Sequence, residues 1–222
     1  MSNAPIPVIT IDGPSASGKG TVAQLVAQKL GFHYLDSGAL YRIVAFAAYQ
    51  HNIAWNQADA LGKLTEKLNI QFSEGEIYLN GERITEAVRS EKMSRGASEV
   101  AVYPPVRDAL LSLQRSFRQS PGLVGDGRDM GSVIFIDAQL KIFLTADVET
   151  RAERRYKQLI GKGLTADYNQ ILADLQLRDS RDRERSAAPL VQTADALLLD
   201  TTNRNIEQAV EFVLNAYQKT QK

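Results

Sequence analysis

The sequence predicts an α/β protein built on a parallel sheet sandwiched by helices. Three observations carry this expectation: short strand patterns alternate with longer helical ones, a glycine-rich string joins the first strand to the first helix, and 44% of the 222 residues are hydrophobic. That apolar content is enough for one sizeable core with small inserted lobes. The opening strand is Val8 to Ile11, and Asp12 leads from it into Gly13-Pro14-Ser15-Ala16-Ser17-Gly18-Lys19-Gly20-Thr21. Helical spacing of Val22, Leu25, Val26 and Leu30 then marks a helix from Thr21 to about Leu30. Glycines in such a loop let backbone N–H groups turn toward phosphate oxygens, the helix N-terminus adds positive character, and Lys19 reaches the outer phosphates. A nucleoside triphosphate is the expected ligand.

Further strands are expected near His33 to Leu35, Gly122 to Gly125, Lys141 to Thr145 and Ala196 to Asp200. Between them helices are expected at Tyr41 to His51, Ala58 to Leu68, Pro105 to Arg118, Val148 to Leu159, Asp167 to Arg183 and Ile206 to Gln218. One segment breaks the alternation. Ile70 to Phe72 and Ile77 to Leu79 read as short strands, and Asn80-Gly81 before Glu82 signals a tight hairpin. Residues 63–95 are therefore expected to form a small inserted β-lobe able to close over a substrate. Gly161-Lys162-Gly163, after Arg151, Arg154 and Arg155 at i, i+3, i+4 spacing, reads as the hinge of a lid over about 154–167. For Arg151, exposed helix decoration is an equal alternative to a lid arginine. Trp55, Tyr34, Phe46 and Tyr49 read as packing residues.

Composition excludes several function classes. Without cysteine there are no disulfides or thiolate metal sites, and His33 and His51 stand too far apart to suggest structural zinc. Charges balance at 26 basic and 26 acidic residues, so no overall footprint for nucleic acid exists. The N-terminus lacks a basic region followed by an apolar run, and no run of about 18 apolar residues could cross a membrane. A cytoplasmic chain is expected, and nothing in the sequence demands more than a monomer.

Three further clusters carry chemistry. In Asp36-Ser37-Gly38-Ala39-Leu40-Tyr41-Arg42, Ser37 lies near a helix start with Arg42 within two turns, though a serine N-cap beside an exposed arginine explains the same residues. In Gly125-Asp126-Gly127-Arg128-Asp129-Met130-Gly131, charges crowd the C-terminal end of a buried strand, where open parallel sheets bind ligands. Asp126 is placed to hold Mg²⁺ through a water. Thr21 follows Lys19 one position later than the usual hydroxyl ligand, so direct ligation by it stays open. Finally, Arg178, Arg181, Asp182 and Arg185 share i, i+3, i+4, i+7 spacing, so a helix continuing through them would present a row of guanidinium groups suited to phosphate. A solvated charge run is the alternative. No Asn-Lys-x-Asp guanine-reading motif occurs.

Taken together, Gly13-Pro14-Ser15-x-x-Gly18-Lys19-Gly20-Thr21, the Asp36 to Arg42 string, Gly127-Arg128-Asp129-Met130-Gly131 and the Arg178 to Arg185 run closely resemble the bacterial cytidylate kinases, a family of P-loop nucleoside monophosphate kinases. The likeness extends from Ile9 to about Asp200. It implies a P-loop fold with an enlarged monophosphate-binding lobe, ATP as donor on Gly13 to Thr21, Mg²⁺ as cofactor, and CMP or dCMP as acceptor. By the same resemblance Arg42, Arg128 and Arg185 surround the acceptor phosphate, while Ser37, Ser98, Arg107, Asp129, Arg178 and Asp182 complete the CMP site. Lys19, Arg128, Arg185 and Arg155 are the implied catalytic cations. The alternatives are a P-loop kinase for another nucleoside monophosphate or small metabolite, and a nucleotide-dependent switch without transfer.

Overall fold

The computed structural model describes residues 5–73 and 75–221. Two compact units emerge, one comprising the segments up to Leu35 and from Phe117 onward, the other Asp36–Ser116.

The first unit is organised by a five-stranded sheet. Its strands are β1 (Val8–Asp12), β2 (His33–Asp36), β6 (Leu123–Gly127), β7 (Leu140–Thr145) and β8 (Leu197–Asp200), in the order β2-β6-β1-β7-β8. β1 pairs in parallel with β6 from Val8↔Leu123 to Asp12↔Gly127, and with β7 from Ile9↔Leu140 to Asp12↔Phe143. All five β1 residues are buried, so both faces of this central strand are covered. A strand of that kind reads as a mostly apolar run, here broken only by the buried Thr10 and ending in Asp12 at the C-terminal edge of the sheet. Helix α1 (Lys19–Leu30) packs against α9 (Ile206–Lys219), with Val22, Val26 and Val213 joining Ile9, Ile11, Ile142 and Leu144 in the core. Helices α7 (Val148–Gly161) and α8 (Tyr168–Glu184) pack on each other. The parallel α/β expectation holds.

The second unit is mostly helical. It contains α2 (Ser37–Gln50), α3 (Ala58–Thr65), a short α4 (Thr85–Val88), α5 (Glu91–Val100) and α6 (Pro104–Ser116). An antiparallel sheet of β3 (Ile70–Ser73), β4 (Glu76–Leu79) and β5 (Glu82–Arg83) completes it. The Asn80-Gly81 hairpin forms as expected, and φ values of 51° and 85° at these two residues match the left-handed pair that a type I′ turn requires. This sheet lies inside the 63–95 span, but the compact unit around it is wider, because α2 packs on α5 and α3 on α6. Helices α4 and α5 have no counterpart in the sequence expectations. Trp55 does pack, donating to Ala45 O at 3.0 Å, and a side chain at Gly96 would strike its ring. Tyr49 does not: it is 55% exposed, with the Lys92 ammonium over its ring. Among the described residues no helix is long and apolar enough to cross a membrane.

Candidate active site

The phosphate loop follows from β1. Gly13 is obligatory because a Cβ there would lie 1.9 Å from Leu144 O. Gly18 adopts φ 91° and starts α1 at Lys19, two residues earlier than the apolar spacing alone suggests. No side chain caps that helix end, and the N-terminal turn of a helix is where backbone N–H groups meet an anion. Ser17 Oγ and Lys19 Nζ both donate to Pro14 O, at 3.0 and 3.2 Å, folding the loop on itself. Thr21 is an exposed residue of the first turn.

Two arginines of α7 hold the outside of this loop. Arg151 is 3% exposed; it grips Asp179 of α8 through its two terminal guanidinium nitrogens, at 3.1 and 2.5 Å, and donates through Nη1 to Ser15 O at 3.1 Å and through Nε to Ala146 O at 3.0 Å. Arg154 donates to Ser17 O at 3.4 Å and to Thr201 Oγ1 at 3.2 Å. A trans peptide holds its C=O and N–H on opposite sides. Turning the Ser15 and Ser17 carbonyls to these arginines therefore turns the Ala16 and Gly18 N–H groups the other way, as an anion cradle needs. Arg151 is thus a buried clamp rather than exposed decoration. Arg155 is half-buried on the same helix and donates to Gln158.

The turn after β6 brings a group of charged residues to this loop. Arg128 donates through Nε to Asp182 Oδ2 at 2.7 Å, through one terminal nitrogen to Ser15 Oγ at 2.7 Å, and through the other to Gly127 O at 3.2 Å. Burial works against the guanidinium charge, but Asp182 first, then Asp126 and Asp12, outweigh it and raise the pKa. Burial likewise pushes Asp182 up, yet Arg128, Arg178 and Arg185 hold it below the ordinary carboxylate range. Arg185 Nη2 lies 3.7 Å from Asp129 Oδ1, with both side chains 4% exposed. The helical continuation expected for Arg185 does not occur: α8 ends at Glu184, and Arg185 turns to ψ 138° and donates to Ala188 O at 2.8 Å. Arg128, Asp129, Arg178, Asp182 and Arg185 still form one buried cluster, because the chain turn does what a further helical turn would not.

Two residues near the loop escaped sequence reasoning. Tyr34, expected only to pack, donates its hydroxyl to Asp126 Oδ1 at 2.8 Å. That bond orients a carboxylate close to Gly20 of the loop, whose Cβ position lies 3.9 Å from Asp126 Oδ2. Asp12 accepts the Met130 and Gly131 N–H groups, and burial above all raises its pKa to about 7, with Asp129 adding to the rise and Lys19 opposing it.

The second unit holds the remaining candidates. Asp36, not Ser37, caps α2: its Oδ1 accepts Ala39 N–H at 2.9 Å, while Oδ2 holds Arg42 at 2.6 Å. The shorter serine loses the cap because the preceding carboxylate has two oxygens and serves both partners. Ser37 is 2% exposed and accepts from Gln114 Nε2 at 3.3 Å. Gly38 leaves room for the Arg42 guanidinium, 3.3 Å from where a Cβ would stand. Ser98 is buried on α5; Arg107 is buried on α6, donating to Ala101 O at 3.3 Å with its guanidinium 5.8 Å from the Tyr41 ring centre.

Among the described residues no group of three or more His, Cys, Asp or Glu is placed to hold a metal ion. The oxygen donors present, the Asp126 carboxylate and the Thr21 hydroxyl, suit Mg²⁺, which characteristically keeps waters and substrate phosphates as its other ligands.

Known proteins place these features in a family. The family model described as cytidylate kinase matches residues 9–219. A cytidylate kinase of Polynucleobacter asymbioticus is 58% identical over 213 residues, covering 96% of this chain and 97% of its own. One from Burkholderia thailandensis is 57% identical over 215 residues, covering 97% and 94%. Among solved structures, a gluconokinase from Sinorhizobium meliloti shares the fold, with a TM-score of 0.50 at 12% identity, covering 96% of this chain and 93% of its own. The site described above therefore stands on a P-loop kinase fold, and the chain belongs to the cytidylate kinase family.

Proposed function

We propose that the protein transfers the γ-phosphoryl group of ATP to CMP or dCMP, giving CDP or dCDP and ADP. The observation that carries this reading is the bond from Arg128 to Ser15, which joins the phosphate loop to a buried cluster of three arginines and two carboxylates. A switch protein needs the loop alone; a transferase needs a second, cationic site within reach of it.

In this reading Gly13 to Thr21 hold the donor, with Lys19 on its outer phosphates. Arg42, Arg128 and Arg185 neutralise the acceptor phosphate, and Arg155 swings from the 154–167 lid to the moving group. Ser98, Arg107, Asp129, Arg178 and Asp182 recognise cytosine and sugar, and Ser37 completes the CMP-binding set. Cytosine presents an amino donor and acceptors along its pairing edge, which a carboxylate, an arginine and a hydroxyl can satisfy; uracil reverses two of these groups and leaves a buried carboxylate without its donor. Asp126, oriented by Tyr34, and Thr21 would hold Mg²⁺. When bound, that ion supplies charge neutralisation at the phosphates. No general base is required, because a phosphate monoester has its second pKa near 6 and the attacking oxygen is already mostly ionised at neutral pH. The protein's work is alignment, charge neutralisation and exclusion of water. A cytoplasmic monomer completes the proposal.

An ADP-release assay with Mg²⁺ and equal concentrations of CMP, dCMP, UMP, AMP and dTMP tests it. Turnover confined largely to the two cytidine nucleotides is expected. Preference for another acceptor would leave a kinase but remove the cytidine site, and no turnover with any would favour the switch.

A further inference from the structure

Asp12 ends β1, directly before the loop, and is 7% exposed. Its Oδ1 accepts the Met130 N–H at 2.9 Å and its Oδ2 the Gly131 N–H at 2.8 Å. These are the first two amides of a single π turn, Met130–Ile134, whose wide bonds run from Ile134 N–H to Asp129 O and from Phe135 N–H to Met130 O. Opening amides of any helical turn lack partners within it. Two parallel buried N–H groups need two acceptors side by side, which a carboxylate supplies and a carboxamide or hydroxyl does not. The turn is fixed at its other end too, since Gly13 N–H donates to Gly127 O at 3.3 Å. Arg128 and Asp129 thus stand between two anchors, both provided by adjacent residues at the mouth of the phosphate loop. Gly131 has no slack, because a Cβ there would approach Thr10 Oγ1 to 2.7 Å.

We propose that Asp12 is a positioning residue for phosphoryl transfer: by holding the Met130 and Gly131 amides it sets Arg128 and Asp129 in register with the donor loop. This rests on the kinase reading above. It explains why a carboxylate is buried where its charge is costly, since a misplacement of about 1 Å at a reacting group lowers rate roughly 100-fold.

Asp12→Asn keeps the size of the side chain but sets an NH₂ against one of the two amides. The test measures kcat and both KM values, ATP binding by titration calorimetry, and amide hydrogen exchange across 127–135. Expected are a kcat lowered roughly 10- to 100-fold, a KM for CMP raised severalfold, an unchanged KM for ATP, one ATP bound per chain as in the wild type, and faster exchange at Met130 and Gly131. Loss of a structural prop alone would lower the number of ATP sites and leave both KM values in place, and that result overturns the proposal, as do wild-type kinetics. If the wild type transfers nothing to CMP, the kinase reading fails instead. Exchange then decides this inference: faster exchange in the variant with ATP binding retained supports it, and unchanged exchange overturns it. Should Asp12→Asn not fold, Gly131→Ala displaces the same turn from its other side and must show the same split in KM values; normal kinetics there overturn the inference.

Discussion

Replacing Arg151 by Met removes one half of a buried ion pair and leaves the other half in place. Asp179 keeps a carboxylate that is 11% exposed, stripped of both its guanidinium bonds. Ser15 O and Ala146 O lose their donor as well. Breaking a buried pair from one side costs about 3–5 kcal/mol, most of it the penalty of the orphaned charge. For a chain of this size each kcal/mol lowers the melting temperature by about 2–4 °C, so the variant should melt roughly 6–20 °C lower. A second change, Asp179→Leu, removes the orphaned charge. The double variant should therefore be more stable than Arg151→Met alone by about 2 kcal/mol, although each single change is destabilising. Guanidinium denaturation of the four proteins gives the cycle. ATP affinity gives a second reading, because Ser15 O is unheld in both Arg151 variants and both should bind ATP more weakly. A loss under about 1 kcal/mol in the single variant, or a double variant as unstable as the sum of its parts, would refute the clamp.

Other consequences can be checked alongside. Arg128→Ala should lower kcat by about a thousandfold or more, the range for a transition-state arginine, while leaving ATP binding largely intact in calorimetry. Tyr34→Phe frees Asp126 from its hydroxyl partner and should raise the Mg²⁺ concentration for half-maximal activity roughly tenfold, the usual effect of losing an outer-shell bond. The raised pKa of Asp12, about 7, means that the folded chain binds its proton more tightly than the unfolded one does. Its contribution to stability is present in full below the unfolded value near 3.8 and is lost as pH rises toward 7. Thermal melts across pH 4 to 7 should therefore fall more steeply with pH for the wild type than for Asp12→Asn. Parallel slopes would contradict this.

The sequence made legible whatever was encoded within a few residues. The loop at Gly13 to Thr21 and the Asn80-Gly81 turn depend on local backbone conformations that glycine and asparagine announce. The alternation of strands and helices was legible for the same reason, because periodicity reports burial. Element ends shifted where a local group outweighed the apolar pattern. Gly18 starts α1 early, and Asp36 takes the cap that Ser37 was expected to hold. Pairings across the fold were not legible. Nothing near Arg151 in sequence points to Asp179, nothing near Tyr34 points to Asp126, and the π turn at Met130 depends on a carboxylate 118 residues earlier. Periodicity even misled at Arg185, which reaches Asp129 from beyond the end of α8 rather than along its face. The charged strings at Gly127 to Gly131 and Arg178 to Arg185 were legible as clusters, and the structure brings Arg128 to Asp182 and Arg185 to Asp129. Their partners are set by topology.

The central claim is phosphoryl transfer to a cytidine monophosphate rather than to water. ATP labelled at the γ-phosphate, incubated with the protein, Mg²⁺ and CMP, measures it directly. The account predicts label in the β-phosphate of CDP, mole for mole with ADP, and little in inorganic phosphate. Label released mainly as inorganic phosphate, or retained in ATP whatever the acceptor, would contradict it.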